Sequence, residues 1–171
     1  MDANWAKEAA KYEEAYQQAE SFDDWEPKAN CDLNCVVDHV RSGNMKSGHP
    51  YLAVKVRIVS GQDPESGADY TDRAFQPWFF GIDPDRPAGM GELKKVAGIL
   101  SGSQVTSLAA AGNLLEAATG TVLTLRGKER NYTDRNGNDR TATSWNIEAV
   151  DSRSKALDAL VGEAEEASAA S

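Results

Sequence analysis

Cys31, Cys35, His39 and His49 are the first residues whose types and spacing could do chemistry, because thiolates and imidazoles four apart on a helix converge on one zinc ion. The stretch that carries three of them, CDLNCVVDHVR at 31–41, reads instead as a strand. Four residues along a strand span roughly 13 Å. That is too far for ligands that each sit roughly 2 Å from one metal, and too far for a disulfide. These side chains are therefore expected as core or surface positions, with no metal. No nucleophile-elbow pentapeptide, Walker loop, dinucleotide fingerprint or HExxH occurs, and Asp83 and Asp85 flank Pro84 as ordinary turn chemistry. Neither enzymatic activity nor a cofactor is expected.

Aromatic rings interleaved with cations are the more informative pattern. Tyr51, Lys55, Arg57, Arg73, Phe75, Trp78, Phe79 and Phe80 fall in one region, and Arg126, Lys128, Arg130, Tyr132, Arg135 and Arg140 in another. Single-stranded nucleic acid suits such a surface, since each base offers a π-face worth roughly 1–3 kcal/mol on an aromatic ring while the backbone needs cations beside it. The stacking candidates are Tyr51, Trp78 and Tyr132. The phosphate candidates are Lys55, Arg57, Arg73, Arg126, Lys128, Arg130, Arg135 and Arg140, with Lys46 added from the loop before Tyr51.

The elements that must position these residues follow from periodicity. In YLAVKVRIV at 51–59 the even positions Leu52, Val54, Val56 and Ile58 are apolar, whereas the odd set includes Tyr51, Lys55 and Arg57. Over 120–130, Thr121, Leu123 and Leu125 alternate with Val122, Thr124, Arg126, Lys128 and Arg130. Further strands are expected over 31–41, about 70–80 (with Pro77 marking an edge or a bulge) and 140–150. SGNMKSG and an Asn-Gly turn close two hairpins. Helical spacing over 92–101 and 106–118, broken at Gly102, places two short helices between the third and fourth strands.

Before this domain, Asp2 to about Ser21 reads as an amphipathic helix with a stripe of Trp5, Ala9, Tyr12, Tyr16 and Ala19. The stripe is expected to pack on the core or on a second copy of itself, which would make a homodimer. Phe22 to Lys28 reads as a linker. Residues 152–161 are helical in pattern, and GEAEEASAAS behind them reads as a disordered acidic tail. The divisions are thus 1–28, 29–151 and 152–171.

Composition bounds the class. The chain has 171 residues and a formal charge of −9, which would argue against nucleic acid as a partner. The average misleads, because residues 1–27 carry −6 and 156–171 carry −4, leaving 28–155 at +1. No apolar run approaches the roughly 20 residues of a membrane span, and Met1 leads into charged, Ala-rich sequence rather than a secretory leader. Two cysteines without such a leader lead us to expect a reducing compartment, most simply cytoplasm.

Five strands with helices between the third and fourth outline a mainly β protein, a five-stranded OB-fold barrel. Here the chain resembles the phage-encoded OB-fold single-stranded DNA-binding proteins. The resemblance is carried by VVDHVRSGNMKSGHPYLAVKVRIVSG at 36–61, FQPWFFG at 75–81, ELKKVAGIL at 92–100 and GTVLTLRGKERNYTDRNGNDRTATSWNIEAV at 120–150. It implies sequence-nonspecific coating of single strands in phage replication, recombination and repair, within the host cytoplasm. Glu163, Glu165 and Glu166 are similar to that family's acidic tails, which recruit replication or recombination proteins, although this tail ends Ala-Ala-Ser where many finish in an aromatic residue. The same outline also fits a protein-interaction module that uses its acidic arms and aromatic helix, with no role for DNA.

Overall fold

The computed structural model describes residues 3–13 and 25–169. Among these, helix α1 (Ala3–Ala10) precedes β1 (Asp32–Asn44), β2 (Pro50–Ser60) and β3 (Ala74–Gly81). Helices α2 (Ala88–Ser101) and α3 (Leu108–Ala117) follow, then β4 (Val122–Thr133), β5 (Asp139–Ser152) and α4 (Lys155–Ala169). All ladders are antiparallel and join one five-stranded sheet in the order β3-β2-β1-β4-β5. No helix is long and apolar enough to cross a membrane among the described residues.

Alternation sorts the strands as expected. Val54, Val56 and Ile58 of β2, and Leu123 and Leu125 of β4, are buried with Leu33, Cys35 and Val37 of β1. Their neighbours Arg57, Arg126, Lys128 and Arg130 face solvent. The two helices also form as expected, although α2 begins at Ala88, ahead of the 92 expected. Gly102 ends α2 with a left-handed φ of 74°, its N–H donating to the Gly98 carbonyl, which a residue with a Cβ adopts only under strain. Ser107 opens α3 by accepting the Ala110 N–H at 3.2 Å.

The expected barrel is not what the backbone forms: the sheet is open, and β3 and β5 are its edges. A flat sheet would hold those edges four strand spacings apart, roughly 19 Å. They meet instead through side chains. The Trp78 indole N–H donates to the Trp145 carbonyl at 3.0 Å, and the Phe75 and Trp145 rings lie 4.9 Å apart. The sheet therefore wraps around its apolar face. α2 fills one side of that core with Leu93, Val96, Ala97 and Leu100. Leu157 and Val161 of α4 are buried in the same cluster. Ser154 anchors α4, its hydroxyl donating to the Ala117 carbonyl at 2.6 Å and accepting the Leu157 N–H at 3.1 Å.

Three expectations change at the ends. Helix α4 runs to Ala169, past the 161 expected, because its buried Leu157 and Val161 anchor a segment that looked too polar to fold alone. The helix expected to Ser21 is helical over Ala3–Ala10, with Tyr16 and Ala19 outside the described residues. Trp5 and Tyr12 are 58% and 65% exposed, so these two rings of the stripe do not enter this chain's core. The expected linker, where it is described, is tied down: Trp25 stands edge-on to Tyr70 and Phe75, and Pro27 is buried.

The loop between β2 and β3 is organised by one carboxylate. Asp63 accepts the Glu65 and Ser66 N–H groups at 2.8 and 2.9 Å and the Tyr70 hydroxyl at 2.9 Å, with Lys28 at 3.7 Å. The two backbone N–H bonds, chiefly, hold its carboxyl down at about 2, below the usual carboxylate range. A carboxyl depressed on folding stabilises the fold above the unfolded pKa and loses that contribution as pH falls from about 4 to about 2. Asp63→Ala is accordingly expected to be less stable than wild type at pH 7, and urea unfolding should show the gap closing near pH 2. Trp78→Phe removes the N–H that satisfies the Trp145 carbonyl and should lower unfolding stability by about 1–3 kcal/mol, read in the same urea series at pH 7.

Candidate nucleic-acid interface

Because residues opposite one another in a ladder share a face, the registers reconstruct the outer surface of β1, β2 and β3 row by row. At one end Gly43, Tyr51 and Gly81 lie side by side. The next row is Arg41, Ala53 and Phe79, followed by the pair His39 and Lys55, and then by Val36, Arg57 and Ala74. Rings and cations thus alternate with glycine and alanine, which leave the rings uncovered.

Tyr51 and Phe79 stack diagonally across the β2–β3 ladder, centroids 4.8 Å apart at 24°, and Phe79 is 46% exposed. The Arg41 guanidinium stands 5.9 Å from the Tyr51 centroid and donates to Gln76 Oε1 at 3.2 Å. A Cβ on Gly43 would come within 2.9 Å of the Tyr51 hydroxyl and 3.0 Å of its ring carbons, so the ring lies over the space that this glycine leaves open. Arg57 approaches Asp38 at 3.5 Å. The pair is possible because a register shift between Val37 and His39 inserts Asp38 into β1 as a bulge.

A second cationic group lies on the ribbon made by β4 and β5 beyond Arg126. Arg126, Lys128, Arg130 and Tyr132 alternate along its outer face, with Arg140 opposite Tyr132. The Arg130 guanidinium is 5.8 Å from the Tyr132 centroid, and Tyr132 is 45% exposed. Arg126 pairs with Asp32 at 3.0 Å, and Arg140 with Asp134 at 3.0 Å. Asp134 also accepts the Asn136 and Asn138 N–H groups at 2.9 and 3.0 Å. Arg140 first, and these N–H groups with it, hold its carboxyl below the usual range. Arg135 is exposed in the same turn, and Lys46 is exposed in the turn between β1 and β2. β1 lies between this ribbon and the strand that carries Tyr51, Lys55 and Arg57, so the two cationic groups occupy separate parts of one outer face.

Two expected site residues are corrected. Trp78 is 3% exposed, with its N–H committed to Trp145, and offers no face to a base. The register shift between Val54 and Val56 marks a bulge in β3, where Gln76 and Pro77 together stand opposite Lys55. The bulge turns Trp78 and Phe80 inward with Phe75, and Phe79 outward. Arg73 belongs to neither cationic group: its guanidinium lies 3.8 Å over the Trp25 ring and holds the residues before β1 in place. Of the tail residues, Glu163 is exposed on α4, while the side chains of Glu165 and Glu166 lie outside the described residues.

Sequence reasoning missed Phe79, Arg41 and His39 as site residues. Arg41 and His39 were hidden by the Asp38 bulge, since unbroken alternation from Leu33, Cys35 and Val37 would turn them inward. Phe79 was hidden by the bulge in β3. The cysteines sit apart from this surface: Cys35 is inward, its thiol pushed up to about 12 by burial, and Cys31 donates to the Lys28 carbonyl at 3.2 Å. A cavity of about 560 Å³ between α3 and α4 is lined by Val105, Asn113, Leu114 and Leu160 and carries neither cation nor ring. No protein-family model and no curated protein matches this chain.

The geometry makes the ring pair depend on a small neighbour. Gly43→Val is expected to displace Tyr51 from Phe79, seen as loss of their mutual ring-current shifts in proton NMR, at a stability cost of about 1–3 kcal/mol.

Proposed function

We propose that this protein binds single-stranded DNA, without base specificity and without catalysis, on the outer face of β1, β2 and β3, with the β4–β5 ribbon as a second cationic arm. The observation that carries the reading is the stacked, half-exposed Tyr51–Phe79 pair set among Arg41, Lys55 and Arg57 on a face that the core does not use. Bases stack on such rings irrespective of sequence, while phosphates meet the cations. An OB-type fold is supported by the strand order β3-β2-β1-β4-β5, the helices between β3 and β4, and the meeting of β3 with β5 at Trp78. The resemblance noted above supports a role in phage replication, recombination and repair in the host cytoplasm. In that reading, Glu163 and its neighbours 165 and 166 on the acidic C-terminal segment recruit partner proteins.

The test is anisotropy of a labelled oligo-dT titrated with full-length protein, beside a duplex of equal length. Intrinsic Trp fluorescence is a weaker reporter, because Trp78 and Trp145 are buried. Single strands should bind more tightly than duplex, and about five phosphate contacts would weaken binding roughly 100-fold between 50 and 200 mM salt. Phe79→Ala and Tyr51→Ala should each cost about 1–3 kcal/mol of binding. Absence of binding at 50 mM salt would overturn the reading and favour a protein-interaction module.

A further inference from the structure

Arg57 and Arg126 of the outer face carry their own carboxylates. Asp38 reaches Arg57 at 3.5 Å, and Asp32 reaches Arg126 at 3.0 Å. Among the described residues, neither carboxylate gathers backbone N–H groups as Asp63 and Asp134 do in their turns. Asp38 is moreover the extra residue of a bulge, so the chain departs from regular pairing at the point where it sets an anion beside Arg57.

We propose that Asp32 and Asp38 are built-in counter-ions that set how tightly, and with what salt dependence, the outer face holds a nucleic-acid backbone. The inference rests on the single-stranded DNA reading and adds to it a limit on affinity. A phosphate arriving at Arg57 or Arg126 exchanges with a carboxylate of the protein rather than with a small ion from solution. The phosphate gives up its condensed cation while the displaced carboxylate regains cations from solution, so these two arginines add little net salt dependence. Both pairs are exposed, with side chains 36–60% accessible, and exposed pairs are worth only about 0.2–1 kcal/mol. They are weak enough for a phosphate to displace and strong enough to lower affinity when several act together. A strand held this way is released readily, which suits a protein that must yield DNA to enzymes.

The experiment compares wild type, Asp32→Asn, Asp38→Asn and the double variant by oligo-dT anisotropy at four salt concentrations. A control of equal charge change, Glu92→Gln with Glu116→Gln on exposed helix positions, separates a local effect from net charge. The double variant should bind about threefold to tenfold more tightly at low salt. Its logarithmic salt slope should steepen by up to about 1.4, at about 0.7 for each cation freed. In an Arg57→Gln background, Asp38→Asn should have no effect, because the carboxylate acts through that guanidinium. If wild type binds but the double variant matches it in affinity and slope, or the helix control tightens binding equally, the counter-ion proposal is overturned while the DNA reading stands. If wild type fails to bind, both fall. Circular dichroism and urea unfolding of each variant verify that the fold is retained.

Discussion

The wrapping of the sheet, secured where the Trp78 N–H meets the Trp145 carbonyl, is the constraint on which the rest of the structure depends. Five antiparallel strands with one apolar face can bury that face by curling or by acquiring a second layer. This chain does both. β3 and β5 are drawn together over Phe75, Trp78, Phe80 and Trp145, while α2, α3 and α4 cover what the curl leaves open. With the inner face filled, the outer face of β1, β2 and β3 lies outside the main core. That face carries the stacked Tyr51 and Phe79 rings with Arg41, Lys55 and Arg57.

Bulges convert this regular sheet into a particular surface. One, formed by Gln76 and Pro77, reverses the alternation of β3, so that the indole of Trp78 serves the core and the ring of Phe79 lies on the surface. The other places Asp38 beside Arg57. A one-residue slip moves every following side chain to the opposite face, so a local irregularity selects which ring and which charge a ligand meets.

The electrostatics are local in the same way. An anionic chain repels polyanions on average, yet with a Debye length near 10 Å the ionic surroundings of a bound strand are those of the face it touches. On that face Arg57, Arg126 and Arg140 stand beside carboxylates. The acidic segments lie at the two ends of the chain.

Period-two alternation by itself determined the buried faces of β2 and β4 and the outward direction of Arg57, Arg126, Lys128 and Arg130, because hydrophobic burial on one side of a pleated strand leaves a visible pattern. The break at Gly102, the helices around it and the hairpin turns were legible for the same local reason. Only the tertiary structure decided that the sheet stays open in its backbone yet meets edge to edge, that Trp78 is core and Phe79 is not, and that Arg73 holds Trp25. It also decided that α4 continues to Ala169. These outcomes depend on residues far apart in the chain, Trp78 with Trp145, Trp25 with Arg73, Leu157 with the sheet's core, and on bulges that compensate for them. Local periodicity carries no information about such partners, since the energy that selects them is gained only when the core closes.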